Sequence, residues 1–281
     1  MIYFPCAKIN LGLNIVEKRA DGYHNLQTVF FPIPIYDALE IKLMDERFPS
    51  DTACDLKVTG NNVCCNEADN LVVKAYNMIA SDFAIPRIHA HLYKNIPSEA
   101  GLGGGSSDAA YMIRLLDQRF RLNMGNAEME KYAAKLGADC PFFISAEPSY
   151  AEGIGEILSP ANITDNNLKG YTLVVVKPDI SVSTKEAFSH IKPHKPVACC
   201  RDIVAQPVES WKETLVNDFE ESVFGFYPQL HDIKAKLYEL GAVYAQMSGS
   251  GSSIFGIFKN GAKGTLEEKE FSGCRTFVMQ L

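Results

Sequence analysis

The 281-residue chain lacks any long apolar run. Its most hydrophobic stretches, such as residues 173–176, are far shorter than the roughly 20 residues of a membrane-spanning helix, so no membrane partner is expected. It also lacks a basic excess. Its 27 Lys and Arg against 34 Asp and Glu leave a net charge of −7, which argues against a nucleic-acid partner or an acidic lipid surface. The N-terminus shows no basic segment followed by an apolar one, so no secretory signal is read and the cytoplasm is the expected compartment. Eight cysteines are present (Cys6, Cys54, Cys64, Cys65, Cys140, Cys199, Cys200, Cys274), but no Cys-x-x-Cys. In a reducing compartment this composition predicts free buried thiols rather than disulfides or zinc. His89 and His91 share one side of a predicted strand without a third ligand nearby, and are read as solvent-facing. Neither an internal repeat, a low-complexity tract nor a regular strand–helix–strand alternation occurs, which leaves an α+β architecture. Against these absences the composition is ordinary: 47% hydrophobic and 22% charged residues, enough for one large or two modest globular domains.

The most informative stretch present is Pro97-Ser98-Glu99-Ala100-Gly101-Leu102-Gly103-Gly104-Gly105-Ser106-Ser107. It runs directly into a helical pattern with Ala109, Met112, Ile113, Leu116 and Phe120 on one face. Glycines allow a ligand close to the main chain, and a helix starting near Ser106 and Ser107 offers free N–H groups and the positive end of its dipole. Together these make an anion site, most often for phosphate. The loop is not a P-loop, since Gly105 is followed by Ser106 and not by lysine. Nor is it a dinucleotide fingerprint, because Ser106 stands where the third glycine belongs. The competing reading is a flexible surface loop.

Strict alternation from Ala7 to Ile15 predicts a half-buried strand with Lys8, Asn10 and Asn14 on one polar face. On pattern alone that face is a solvated one. Further strands are predicted at 26–33, 39–44, 56–59 and 87–93. Helices are predicted at 71–83, 111–120 and 127–136, the last closed by Gly137 in a left-handed cap. Residues 150–158 read as a glycine-interrupted strand and 160–168 as a polar connection, where the domain boundary is placed. In the second half, strands are predicted at 171–177, 243–247 and 254–258, and helices at 184–191 and 230–240. The last two strands flank a second glycine–serine loop, Ser248 to Ser253.

The polar strand at Lys8–Asn14, the glycine-rich loop and Gly249-Ser250-Gly251 occur in one order that resembles the GHMP small-molecule kinases. Four further segments resemble the branch whose acceptor is 4-diphosphocytidyl-2-C-methyl-D-erythritol, in non-mevalonate isoprenoid synthesis. They are Ala7-Lys8-Ile9-Asn10-Leu11, Arg19-Ala20-Asp21-Gly22-Tyr23-His24, Leu136-Gly137-Ala138-Asp139-Cys140-Pro141 and Ala151-Glu152-Gly153-Ile154-Gly155-Glu156. The resemblance implies a two-domain α+β GHMP fold. Residues 1–160 would form an S5-like ATP-binding domain and 161–281 a ferredoxin-like domain contributing to the substrate site. One departure is Glu99, where relatives usually carry glycine.

The same resemblance implies roles residue by residue. Asp139 would take the proton from the acceptor hydroxyl, with Lys8 beside it holding its charge. On sequence alone a helix N-cap would serve Asp139 as well, since Cys140-Pro141 follows. The loop residues Pro97 to Ser107 would bind ATP, with Asn70 and Lys94 near adenine. Asn10 would hydrogen-bond the erythritol end; Tyr23, His24 and Phe188 would hold cytosine, Phe188 being equally readable as core. Mg2+ is implied by the ATP chemistry, without named ligands. The expected assembly is a monomer or weak homodimer. The rival functions are a homoserine- or mevalonate-type kinase, and a non-catalytic sensor on the same fold.

Overall fold

The computed structural model describes residues 1–61, 66–161, 163, 168–259 and 268–281. Cys64, Cys65 and part of the predicted connection at 160–168 lie outside the described residues. The chain forms two compact units, each assembled from separated stretches. The first comprises Met1–Lys8, Pro32–Ser98 and Gly103–Glu147; the second comprises Ile9–Phe31, Glu99–Leu102 and Pro148–Leu281.

In the first unit, strands β1 (Ile2–Tyr3), β4 (Ala38–Leu43), β5 (Cys54–Gly60) and β6 (Ile88–Lys94) form a sheet in the order β1-β4-β6-β5. The alternation that turns Ile88, Ala90 and Leu92 inward carries on to Lys94, which is therefore buried too. Helix α1 (Leu71–Asp82) starts at Asn70, whose side-chain oxygen accepts from the Val72 N–H. Helix α2 (Gly104–Phe120) begins two residues earlier than the predicted serine start, with Gly103 at its N-cap. Helices α3 (Asn126–Ala134) and α4 (Phe142–Ser145) follow. Gly137 is not among the positive-φ glycines, so α3 ends without the predicted left-handed cap. His91 is exposed as expected, whereas His89 is half-buried, its Nδ1 2.7 Å from Asp55.

In the second unit, strands β9 (Tyr171–Pro178), β10 (Tyr244–Met247), β11 (Ile254–Lys259) and β12 (Cys274–Gln280) pair antiparallel in the order β10-β11-β9-β12. Their inner face and helices α5 (Thr184–Phe188), α7 (Phe219–Phe226) and α8 (Pro228–Glu239) enclose a core of Leu13, Ile15, Val174, Val176, Val223, Leu230, Met247 and Phe258. Helix α6 (Cys200–Ile203) is a single turn. A third sheet has the order β2-β3-β7-β8, from Cys6–Lys18, His24–Tyr36, Ser149–Glu152 and Ile157–Pro160. The glycine-interrupted strand of the sequence reading is thus a hairpin, β7 and β8 pairing antiparallel. The predicted solvated face of β2 is not solvated: Lys8, Asn10 and Asn14 are all buried. No helix among the described residues is long and apolar enough to cross a membrane.

Candidate functional site

Burying a polar side chain is costly unless it finds partners, so the buried polar face of β2 points to where function can lie. In the first unit, Lys8 Nζ lies 3.4 Å from Asp139 Oδ2, the lysine almost wholly buried and the aspartate about one-third exposed. Asp139 occupies a turn before α4, whose N-cap position is Pro141 with no side-chain hydrogen bond. The capping role is therefore not the one Asp139 takes. Its carboxylate is held by Lys8 while open to an incoming group.

The start of α2 comes close to the same pair. A β-carbon built at Gly103 would lie 2.8 Å from Phe143 and 3.2 Å from Lys8 Cε, so only glycine fits there, at φ +70°. No side chain caps α2, leaving the N–H groups of its first turn to an external acceptor. Gly104 is buried over Ile96 and Lys94 Nζ. The Ser107 hydroxyl is buried without a hydrogen-bond partner.

Asn70 and Lys94 do structural work that the sequence reading did not foresee. Asn70 caps α1. Lys94 is locked between Asp37 and Asp108, donating to both, at 2.6 Å in the case of Asp108. Asp37 also accepts from the backbone N–H groups of Asn95 and Ile96. Burial pushes the Asp108 carboxyl well above its ordinary range, Lys94 opposing and Asp37 adding to the rise. Burial alone would lower Lys94, but the Asp108 and Asp37 charges outweigh it and its pKa is raised. Asp37 and Asp108 went unread in the sequence. The available signal was Asp108 itself, an acidic residue between Ser107 and Ala109 on the helix face otherwise made of small and apolar side chains.

In the second unit the fully buried polar side chains are neutral, the charged Asp218, Glu220 and Lys234 being only partly buried. Asn10 donates to Thr28 Oγ1 at 2.9 Å and Gly12 N–H donates to Gln246 Oε1 at 2.9 Å. Asn217 donates to the carbonyls of Met247 and Gly249, fixing the second glycine–serine loop. That loop interlocks with residues 99–102. Ser248 Oγ donates to Gly101 O at 2.8 Å, Ser253 N–H donates to Ala100 O, and a β-carbon at Gly101 would sit 1.9 Å from Ser248 O. The side chains of Ala100 and Leu102 point into the core, so this stretch offers a ligand mainly backbone. Glu99 is exposed with φ +49°, a conformation that strains any residue with a β-carbon.

The turn joining β2 to β3 presents the aromatic residues. Asp21 accepts from the Tyr23 N–H and from Arg19, and Gly22 takes φ +89°. Tyr23 is 62% exposed, a bare ring face. His24 instead stacks on Phe188, centroids 4.6 Å apart at 19°. Phe188 in turn meets Phe219 edge-on and is packed against the core, so it is both core residue and plate. Burial, then Lys18, draws the His24 pKa below its ordinary value, favouring neutral imidazole.

Comparison with known proteins gives the family and the fold. Residues 70–147 match the family model of the GHMP kinases N-terminal domain and 202–269 that of the GHMP kinases C-terminal region. A 4-diphosphocytidyl-2-C-methyl-D-erythritol kinase of Bacteroides fragilis is 53% identical, the match covering 98% of each chain. A crystal structure of 4-(cytidine 5'-diphospho)-2C-methyl-D-erythritol kinase superposes with a TM-score of 0.82 at 28% identity, covering 99% of this chain and 98% of that one. The homoserine kinase of Cytophaga hutchinsonii, with a TM-score of 0.66 at 15% identity over 99% of this chain and 95% of its own, shares the fold alone. The chain belongs to the GHMP kinases, in the family of the 4-diphosphocytidyl-2-C-methyl-D-erythritol kinases.

Proposed function

We infer that the protein transfers the γ-phosphoryl group of ATP to the 2-hydroxyl of 4-diphosphocytidyl-2-C-methyl-D-erythritol. The observation that carries this reading is the Lys8–Asp139 pair beside the uncapped start of α2. Phosphoryl transfer needs its reactants positioned and spread negative charge neutralised, with little covalent work by the protein. Asp139 accepts the hydroxyl proton as the oxygen attacks phosphorus and the bond to the leaving ADP oxygen breaks. Lys8 orients the carboxylate and contributes positive charge. The first-turn N–H groups of α2 and the backbone of residues 99–102 receive phosphate oxygens. Asn10 bonds the erythritol end, while Tyr23, His24 and Phe188 take cytosine. Because His24 and Phe188 already stack on one another, a base either uses the open Tyr23 face or separates the two rings. Neutral His24 offers one donor and one acceptor, which suits reading a cytosine edge.

ATP chemistry brings Mg2+. Among the described residues no group of three His, Cys, Asp or Glu is arranged to hold a metal. That suits an ion bound chiefly by phosphate and water, with the unpaired Ser107 hydroxyl and Asp139 as the protein oxygens at hand. When bound, it neutralises charge on the transferring group.

The test is ATP turnover against separate acceptors. Phosphorylation of the cytidylated methylerythritol, with homoserine and mevalonate inert, is the expected result. Preference for either of the latter would replace the acceptor assignment, and no turnover with any acceptor would favour a sensor.

A further inference from the structure

Asn14, the third member of the polar face of β2, takes no part in the site described above. It donates to Asp218 Oδ1 at 3.3 Å, and the Ile15 N–H donates to Asp218 Oδ2 at 2.7 Å. Backbone bonds run alongside, from Asp218 N–H to Leu13 O at 2.9 Å and from Leu13 N–H to Val216 O at 2.8 Å. Leu13 and Asn217 form a parallel bridge, so the short segment 216–218 is laid directly on β2.

Asp218 is also the N-cap residue of α7, where an aspartate ordinarily accepts from the first turn of the helix. Its side chain makes no such bond. Asn217 serves the helix start instead, its Oδ1 accepting from the Phe219 N–H at 3.0 Å. The Asp218 side chain is only 10% exposed, and a carboxylate so far from water needs partners. Strand β2 supplies two, and His194 Nδ1 stands 3.8 Å away. The next residue, Phe219, meets Phe188 edge-on with centroids 4.8 Å apart, and Phe188 carries His24.

Asn217 faces the other way. Its Nδ2 donates to Met247 O and to Gly249 O, both at 2.8 Å. Glu220 Oε1 also holds Met247, accepting from its N–H at 2.8 Å. Strand β10 thus has a second tie to α7, and the Gly249 bond is the one that reaches into the glycine–serine loop.

We propose that Asn217 and Asp218 are positioning residues that divide the two substrates between them. Asp218 sets the acceptor side, by fixing β2 and the seat of Phe219 beneath Phe188. Asn217 sets the ATP side, by fixing the loop whose Ser248 and Ser253 interlock with residues 99–102. Small displacements of groups that orient reactants are costly in rate, which gives tethers remote from the reacting atoms their effect. This division rests on the roles inferred above for residues 99–102, Asn10 and Phe188.

Asp218→Asn keeps the shape but turns one terminal atom into a donor facing a donor. The acceptor KM is expected to rise at least about fivefold, since charge-assisted bonds are about twice as strong as neutral ones, with the ATP KM unchanged. Asn217→Ala, checked by circular dichroism, is expected to give the reverse split. Asn14→Ala reaches the Asp218 tether from its other end and should raise the acceptor KM even if Asp218→Asn fails to fold. The double variant should then lose less than the product of the single losses. A purely structural role would lower stability while leaving both KM values alone or moving them together, and either pattern would overturn the proposal. Hydrogen exchange at the Ile15 amide should quicken in Asp218→Asn and not in Asn217→Ala; unchanged exchange in the first would overturn the tether to β2. The split is measured with whichever acceptor the intact enzyme phosphorylates, so failure of the acceptor reading and failure of the division are told apart.

Discussion

The two units solve the same problem, buried polarity, in opposite ways. The first places full charges inside: Lys8 with Asp139, and Lys94 between Asp37 and Asp108. The second buries neutral groups: Asn10 with Thr28, Gln246 with the Gly12 N–H, and Asn217 with two carbonyls. Charge attracts charge over distance, which suits a unit proposed to handle phosphates. Amides and rings read shape and hydrogen-bonding edges, which suits a unit proposed to hold a nucleoside and a polyol. The contrast also implies different fragility, because an orphaned buried charge costs more than an orphaned amide or carbonyl.

Five substitutions would break or sharpen this contrast. The largest effect is expected from Asp139→Asn, which removes the base while keeping the shape. Turnover should fall by about 10²–10⁴-fold with an unaltered circular dichroism spectrum. Turnover near the parent value would leave the Lys8 pair as structure only. Next is Lys94→Ala, which strands Asp37 and Asp108 inside the first unit. Denaturant unfolding should report a loss of about 3–5 kcal/mol. Asn217→Ala in the second unit should cost only about 1–3 kcal/mol, and equal losses would erase the contrast.

A smaller effect belongs to the aromatic turn. Tyr23→Ala should weaken acceptor binding by about 1–3 kcal/mol, the value of one ring on one base, and leave ATP affinity alone. Calorimetry with each ligand separates the two. Acceptor affinity should also hold as pH falls through the ordinary histidine range, because the His24 pKa is lowered and protonation comes only below it. The smallest effect is a gain: Glu99→Gly relieves a left-handed backbone and should raise stability by about 1 kcal/mol, read from the denaturation midpoint.

Periodicity made the strands and longer helices readable, because alternation and the helical stripe are local. Boundaries failed where no local rule applies. Helix α2 starts at Gly104 rather than at the serines because the Gly103 backbone turns under Phe143 and Lys8, neighbours distant in sequence. The helix at Phe219–Phe226 and the final strand at Cys274–Gln280 were not predicted: Phe219 and Val223 gain their inner face only when packed in the second unit, and the strand is defined by its pairing with β9, remote in sequence.

The sequence by itself determined the chemistry on offer: a glycine-rich loop feeding a helix, a polar strand, an aspartate before Cys140-Pro141, and an aromatic pair after Asp21-Gly22. Residue types and spacing carry that information, since hydrogen-bonding capacity and backbone freedom are properties of single residues. Tertiary structure decided which role each residue took. It freed Asp139 from capping and gave it to Lys8, gave Lys94 to two carboxylates, and laid His24 on Phe188. Each of those outcomes depends on a partner remote in the chain. No local pattern encodes such a partner, because its effect is the balance between desolvation and pairing, which exists only once the residues are buried together.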